Sequence, residues 1–138
     1  MIVLDTNVVS EMIQPWPSPR VLSWLSCRLE TELYISTVTV AEMLTGANRM
    51  DDSLRSDHRA EVILGVLDRF RPRTLPFGVL AATECANITS LRFAAGRPIA
   101  LADAMIAATA IAAEADAVAT RDKDFTDIGI PVLNPWAA

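Results

Sequence analysis

The sequence predicts an α/β fold built on a central, mainly parallel sheet. Two observations carry this: short apolar runs of β-formers recur along the chain, and longer stretches with helical periodicity separate them. Strands separated by helices pair in parallel through crossover connections. Ile2-Val3-Leu4 is the first such run, and it stops at the polar cluster Asp5-Thr6-Asn7, which starts a helix through residues 8–13. Pro15, Pro17 and Pro19 break the chain; Val21, Leu22, Trp24, Leu25 and Leu29 then recur at helical spacing before the strand pattern Leu33-Tyr34-Ile35-Ser36. Thr37-Val38-Thr39 offers hydroxyl caps to a helix starting at Val40 and ending near Gly46 to Asn48.

Residues 51–71 predict a long exposed amphipathic helix with Val62, Ile63, Val66, Leu67 and Phe70 on one face. Past Pro72, residues 73–75 supply a short strand, and residues 79–95 a helix stopped by Gly96 and Pro98. An Ala-rich helix over residues 101–113, a buried-type strand at 117–120 and a last strand at Val132-Leu133 complete the pattern. Neither an internal repeat nor a low-complexity linker divides the chain, so a single domain over residues 1–138 is expected.

Charge narrows the function. With 12 Lys+Arg against 17 Asp+Glu, a net of −5, uniform attraction to nucleic acid is excluded, and any polyanion must be met locally. Lys123 is the only lysine and lies in no Gly-Lys-Ser/Thr run, which excludes a Walker-type phosphate loop. Cys27 and Cys85 stand 58 positions apart and His58 is the only histidine, so there is no Cys/His zinc spacing. Two isolated cysteines suit a reducing compartment, with a Cys27–Cys85 disulfide left open. The N-terminus carries no basic leader, and the apolar stretch 104–113 is too short to span a bilayer, so a cytoplasmic chain without an export or membrane signal is expected.

Carboxylates are the remaining chemistry. In a doubly wound parallel sheet ligands bind beyond the carboxyl ends of the strands, where Asp5 follows the first strand and Asp122 and Asp124 follow the strand at 117–120. Glu42 and Asp103 sit in unusually apolar company. Taken one by one, such acids are helix caps, turn formers or first-turn charges. Four of them on one edge repel one another, about 4 kcal/mol for each pair at ~4 Å and an effective dielectric near 20, and so call for a cation. Oxygen donors without a Cys/His set point to Mg²⁺ or Mn²⁺, and a carboxylate-held divalent ion points to a phosphodiester substrate. His58, among Arg55, Asp57 and Arg59, reads as a solvated surface residue, and no serine shows a nucleophile elbow.

The motifs Leu4-Asp5-Thr6-Asn7-Val8, Val40-Ala41-Glu42, the run from Leu101 to Ala110 around Asp103, and Ala119-Thr120-Arg121-Asp122 come in an order and spacing that resemble PIN-domain proteins. More narrowly they resemble VapC-type toxins of the FitB-like subgroup, as does the ending Asn134-Pro135-Trp136. The resemblance spans essentially the whole chain. It implies a three-layer α/β/α PIN-like fold, a Mg²⁺- or Mn²⁺-dependent ribonuclease, a homodimer, and a cognate antitoxin that blocks the acidic pocket in a type II toxin-antitoxin complex. Carried over by residue, it puts Asp5, Glu42 and Asp103 on the three principal acidic positions and Asp122 on the fourth, with Asp124 able to replace or assist Asp122. Thr6, Asn7 and Thr120 become polar support. Asp5 and Asp103 are then expected to bind metal directly, Glu42 and Asp122 through water or by orienting the attacking water.

Without Asp5, Glu42, Asp103 and Asp122 the net charge falls from −5 to −1, so the remaining surface is nearly neutral. Six of the eleven arginines, Arg49, Arg55, Arg59, Arg69, Arg71 and Arg73, lie in 49–73, but five acids there leave the segment at +1, a solvated mixed-charge stretch as readily as an RNA face. Arg121, beside Asp122, is better placed to touch a phosphate or brace the carboxylates. The eleven alanines of 100–119 suit either internal packing or a dimer seam. Met12, Ile13, Trp16, Val21, Leu22, Trp24 and Leu25 read as core, with an antitoxin groove as the alternative. Two other functions compete: a carboxylate-metal phosphatase, against which Asn7 stands where an Asp-x-Asp pattern needs its second acid, and a non-catalytic RNA- or protein-binding module of the same fold.

Overall fold

The computed structural model describes residues 1–49 and 54–138. Five strands, β1 (Ile2–Leu4), β2 (Leu33–Ser36), β3 (Thr74–Leu75), β4 (Ala117–Ala119) and β5 (Val132–Leu133), form one sheet in the order β3-β2-β1-β4-β5. Every pairing is parallel: Ile2 stands opposite Leu33 on one side and Ala117 on the other, Ile35 opposite Thr74, Val118 opposite Val132. The chain steps outward from β1 through β2 to β3, then returns to lay β4 against the free side of β1. The direction of winding therefore reverses beside β1, the position where doubly wound sheets open a crevice at their carboxyl edge.

Helices α1 (Thr6–Met12), α2 (Pro19–Ser26), α3 (Thr37–Asn48), α4 (Leu54–Phe70), α5 (Val79–Ala94) and α6 (Leu101–Ala112) fill the crossovers. Alternation along each strand sorts them into two layers. Val3 and Val118 face Cys85 and Ile88 of α5 and Ala104, Ile106, Ala107 and Ala108 of α6. Their neighbours Leu4 and Ala119 face Val8, Val9, Val21, Trp24, Met43 and Ile63 of α1 to α4. This is the α/β/α sandwich expected, and its sheet is parallel throughout.

The departures from the expected boundaries have local causes. Ser36, the last residue of β2, accepts the Thr39 amide at 3.0 Å and caps α3, so that helix starts at Thr37 without waiting for the threonines. The second helix stops at Ser26; Leu29 leads instead into a 3-10 turn, Glu30–Glu32, that enters β2. Arg73 belongs to a 3-10 turn, its guanidinium donating to the carbonyls of Glu30 (2.6 Å) and Leu33 (2.9 Å), which leaves only two residues for β3. Residues 51–53 of the expected helix, and the Arg55 side chain, lie outside the described residues. Cys27 is exposed and Cys85 buried, both as free thiols, so the open disulfide question resolves against the bridge.

The alanines of α6 pack internally: Ala104, Ala107, Ala108 and Ala110 are fully buried within one chain. Side chains this small let α5 lie close against α6 and both lie on the sheet. Ala108→Leu forces extra volume into that seam and should destabilise the fold by about 1–3 kcal/mol, read as a lower urea midpoint. An unchanged midpoint would show that the seam has slack.

Candidate functional site

Asp5 follows β1 directly at the winding reversal, its amide bound to the Ala119 carbonyl at 3.0 Å, so its place is set by the sheet ladder. It is 4% exposed. The carboxylate caps α1: Oδ1 accepts the Thr6 amide at 2.7 Å, and Oδ2 accepts Asn7 Nδ2 at 2.6 Å and the Thr120 hydroxyl at 2.7 Å. The Thr120 oxygen in turn accepts Asn7 Nδ2 at 2.8 Å and the Asp122 amide at 2.9 Å. Thr6, Asn7 and Thr120 thus form a hydrogen-bonded seat linking the ends of β1 and β4, and with it Asp5 and Asp122.

The other acids arrive from different elements. Glu42 lies on α3, half-buried, and accepts the Thr6 hydroxyl. Asp103 lies in the first turn of α6, whose N-terminus has no side-chain cap. Asp122 is the N-cap of a 3-10 turn, Lys123–Phe125, and accepts the Asp124 amide at 2.9 Å. Asp5, Glu42, Asp103 and Asp122 line one cleft of about 360 Å³, together with Thr6, Asn7 and Arg121. Asp124 does not line it. His58 lies elsewhere, exposed on α4.

Glu11, Ser10 and Gln14 also line the cleft, and none was singled out from the sequence. A signal was present: Asn7, Ser10, Glu11 and Gln14 stand at i, i+3, i+4 and i+7, one helical stripe running back from the Asp5 cap. Arg121, the lone cation of the lining, rests its guanidinium 4.8 Å over the Trp136 ring. The C-terminal Asn134-Pro135-Trp136 thereby supports a group at the cleft.

Burial and neighbouring charge shift the titration of Asp103 and Asp5. Burial first, then the charges of Asp5, Asp122, Glu42 and Asp124, raise the Asp103 carboxyl from 3.8 to about 6. Burial also raises Asp5, with Glu42 and Asp122 adding to it, while the Thr120 and Thr6 hydrogen bonds oppose the shift. First-turn placement on α6 favours the Asp103 anion through the helix dipole, and burial outweighs it.

These residues fit a hard divalent cation. Five carboxylates face one guanidinium, all donors are oxygens, and Asn7 Oδ1 is buried without a hydrogen-bond partner. Among the described residues no three acids close into a cage of their own. A hard cation such as Mg²⁺, which keeps several waters, is ordinarily bound through one or two carboxylates and needs no such cage.

An acid whose pKa rises on folding keeps its proton longer in the folded chain. Between pH 3.8 and about 6 the unfolded chain therefore binds fewer protons, and the Asp103 contribution to stability falls as pH rises through that window. Asp103→Asn removes the penalty. In EDTA at neutral pH the variant should melt above the parent, with the gap closing toward the acid end of the window. A variant that melts below the parent at neutral pH would mean that the Asp103 anion is stabilised where it stands.

Comparison with known proteins agrees with this architecture. Residues 2–131 match the PIN domain family. The chain is 38% identical to the VapC ribonuclease Y4jK of Sinorhizobium fredii, over 99% of this chain and 98% of that protein. It is also 38% identical to Toxin FitB of Neisseria gonorrhoeae, over 99% of both. A solved structure of FitAB bound to an IR36 DNA fragment superposes with a TM-score of 0.91 at 39% identity, over 99% of this chain and 96% of that one. With this match along nearly its whole length, an acidic cleft at the winding reversal of a parallel sheet, and relatives of this kind, the chain belongs to the PIN-domain family, in its VapC- and FitB-type toxin group.

Proposed function

We propose that the chain is a Mg²⁺- or Mn²⁺-dependent endoribonuclease, a single nuclease domain over residues 1–138, and the toxin of a type II toxin-antitoxin module. One observation carries the reading: acids from four separate elements, Asp5, Glu42, Asp103 and Asp122, face one small cleft where burial and mutual repulsion raise Asp103 to about 6. Such an arrangement costs stability in the bare chain and gains a purpose when a divalent cation joins it.

Asp5 and Asp103 would hold the cation directly; Glu42 and Asp122 would act through water or orient the attacking water. A divalent cation there supplies Lewis-acid polarisation of a phosphate oxygen and a lowered pKa for water. The chain's own contribution is orientation. Thr6, Asn7 and Thr120 fix both Asp5 oxygens, so this carboxylate presents its one remaining lone pair, on Oδ1, in one direction. The Thr6 hydroxyl does the same for Glu42. Arg121, braced by Trp136, stands where a phosphate of the RNA can be met.

Of the relatives identified, one is named a VapC ribonuclease, one a toxin, and the solved structure is of FitAB, which supports a toxin, here read as cytoplasmic, with a cognate antitoxin as its partner. A groove between α1, α2 and α4, apolar at Met12, Leu22, Leu25 and Val66 with Arg28, Glu30, Arg69 and Arg73 also in its lining, has the form that accepts an amphipathic helix. Val79, Leu80, Leu91, Phe93 and Leu101 are exposed and offer a second copy an apolar surface, in keeping with a homodimer. No helix among the described residues is long and apolar enough to cross a membrane.

Cleavage of a cellular RNA pool by the partner-free chain tests the activity. Fragments should appear with Mg²⁺ or Mn²⁺, vanish with EDTA, and be absent for Asp5→Asn. Full cleavage by Asp5→Asn, or in EDTA, would overturn the mechanism. Sedimentation at micromolar concentration should give a dimer; a monomer would remove the second copy from the reading.

A further inference from the structure

Arg92 is the one arginine of the described residues that is buried, 4% exposed, and neither the sequence motifs nor the cleft accounts for it. It forms no ion pair among those residues. Its guanidinium is satisfied by backbone carbonyls instead: Nε donates to Arg97 at 2.6 Å, and Nη1 to Asp124 at 2.5 Å and Thr126 at 2.7 Å. A buried guanidinium is expensive to desolvate, so a place this specific in three carbonyls is a constraint on those carbonyls.

The three acceptors lie on the two segments that carry acids to the cleft. Asp124 and Thr126 flank Phe125, itself buried, in the turn whose N-cap is Asp122. Arg97 follows the end of α5, where Gly96 takes the left-handed φ of +69° that closes the helix, and leads into α6 with Asp103 in its first turn. One side chain therefore spans from the approach to Asp103 to the turn of Asp122. Those two carboxylates repel each other, and among the described residues the other bonds to Asp122 are local: its amide to Thr120, its carboxylate from the Asp124 amide and its carbonyl from the Phe125 amide. The Arg97–Asp127 ion pair crosses the same junction on the surface, at 2.6 Å but exposed on both sides, and adds little restraint.

We propose that Arg92 is a positioning residue of the metal site: by clamping the Asp122 turn to the segment entering α6, it holds Asp122 and Asp103 at the separation at which both serve one divalent cation. The proposal rests on the metal-dependent reading of the cleft. Arg92 touches neither substrate nor metal and acts through Asp122.

Mn²⁺ titration of the full chain, followed by calorimetry and with folding checked by circular dichroism, separates this from a general structural role. Arg92→Gln should lose about 10–100-fold in Mn²⁺ affinity, the range for residues that orient ligands from behind. The same change made on Asp122→Asn should lose nothing further, because the residue it positions is already gone. A folded Arg92→Gln with parental affinity, or an equal loss in both backgrounds, would overturn the proposal. If Arg92→Gln does not fold, Arg92→Lys reads the same contrast, since one ammonium keeps the charge but cannot reach carbonyls of both segments together. A parent chain that binds no Mn²⁺, or binds it equally well after Asp5→Asn, overturns the metal reading itself and this proposal with it.

Discussion

Like charges gathered at one edge of a sheet have to be held there against their own repulsion. A carboxylate pair at ~4 Å costs about 4 kcal/mol at an effective dielectric near 20, a large fraction of the stability of a domain this size. The molecule distributes the load. Asp5 is anchored by the sheet ladder and three hydrogen bonds, Glu42 by a hydroxyl from α1, Asp103 by the packing of α6, and Asp122 by a turn bound to the same threonine that serves Asp5. Each acid belongs to a different element, so none can relax away without moving a strand end or a helix.

The parallel topology makes this arrangement possible. Parallel strands send all their carboxyl ends to one edge, and the reversal beside β1 leaves a crevice between the ends of β1 and β4. In an antiparallel sheet alternate strands would carry Asp5 and Asp122 to opposite edges. The fully buried alanines of α6 contribute as well, because they let the helix bearing Asp103 sit close to the sheet.

The elements that bury apolar side chains on one face were legible from periodicity, and so were the acids at their ends. Ile2–Leu4 followed by Asp5, and the apolar helix interrupted by Asp103, announce themselves because a charge in apolar company is a local pattern. What escaped was set by tertiary partners. Ser36 looks like a strand residue until its hydroxyl caps α3, and Arg73 like a strand start until its guanidinium binds carbonyls beside β2. Arg92 sits in the last turn of α5, where a cation is ordinarily a solvated partner of the helix dipole; only the fold shows it buried. Which of Asp122 and Asp124 lines the cleft was equally out of reach, since two residues in one turn differ only in which way the turn is fastened.

The arginines do little to match a chain of net charge −5 to an anionic substrate. Most of those described are already engaged: Arg69 and Arg73 with Glu30, Arg71 with Asp68, Arg97 with Asp127, Arg28 over Trp24, Arg20 on the Trp136 carbonyl, and Arg92 on three carbonyls. The segment 49–73, a mixed-charge stretch as readily as an RNA face by its sequence, is thus in part neutralised, Arg71 by its own Asp68 and Arg69 and Arg73 by Glu30 from outside it. With four of the described arginines paired to acids and a net of −5 over the chain, the surface does little to attract RNA from a distance, and Arg121 is the one cation lining the cleft. On the proposed reading the bare cleft repels phosphate, and attraction appears only once a divalent cation offsets the carboxylates. Binding of substrate and readiness for chemistry then depend on the same event, which ties a weakly attractive surface to cleavage only where the site is complete.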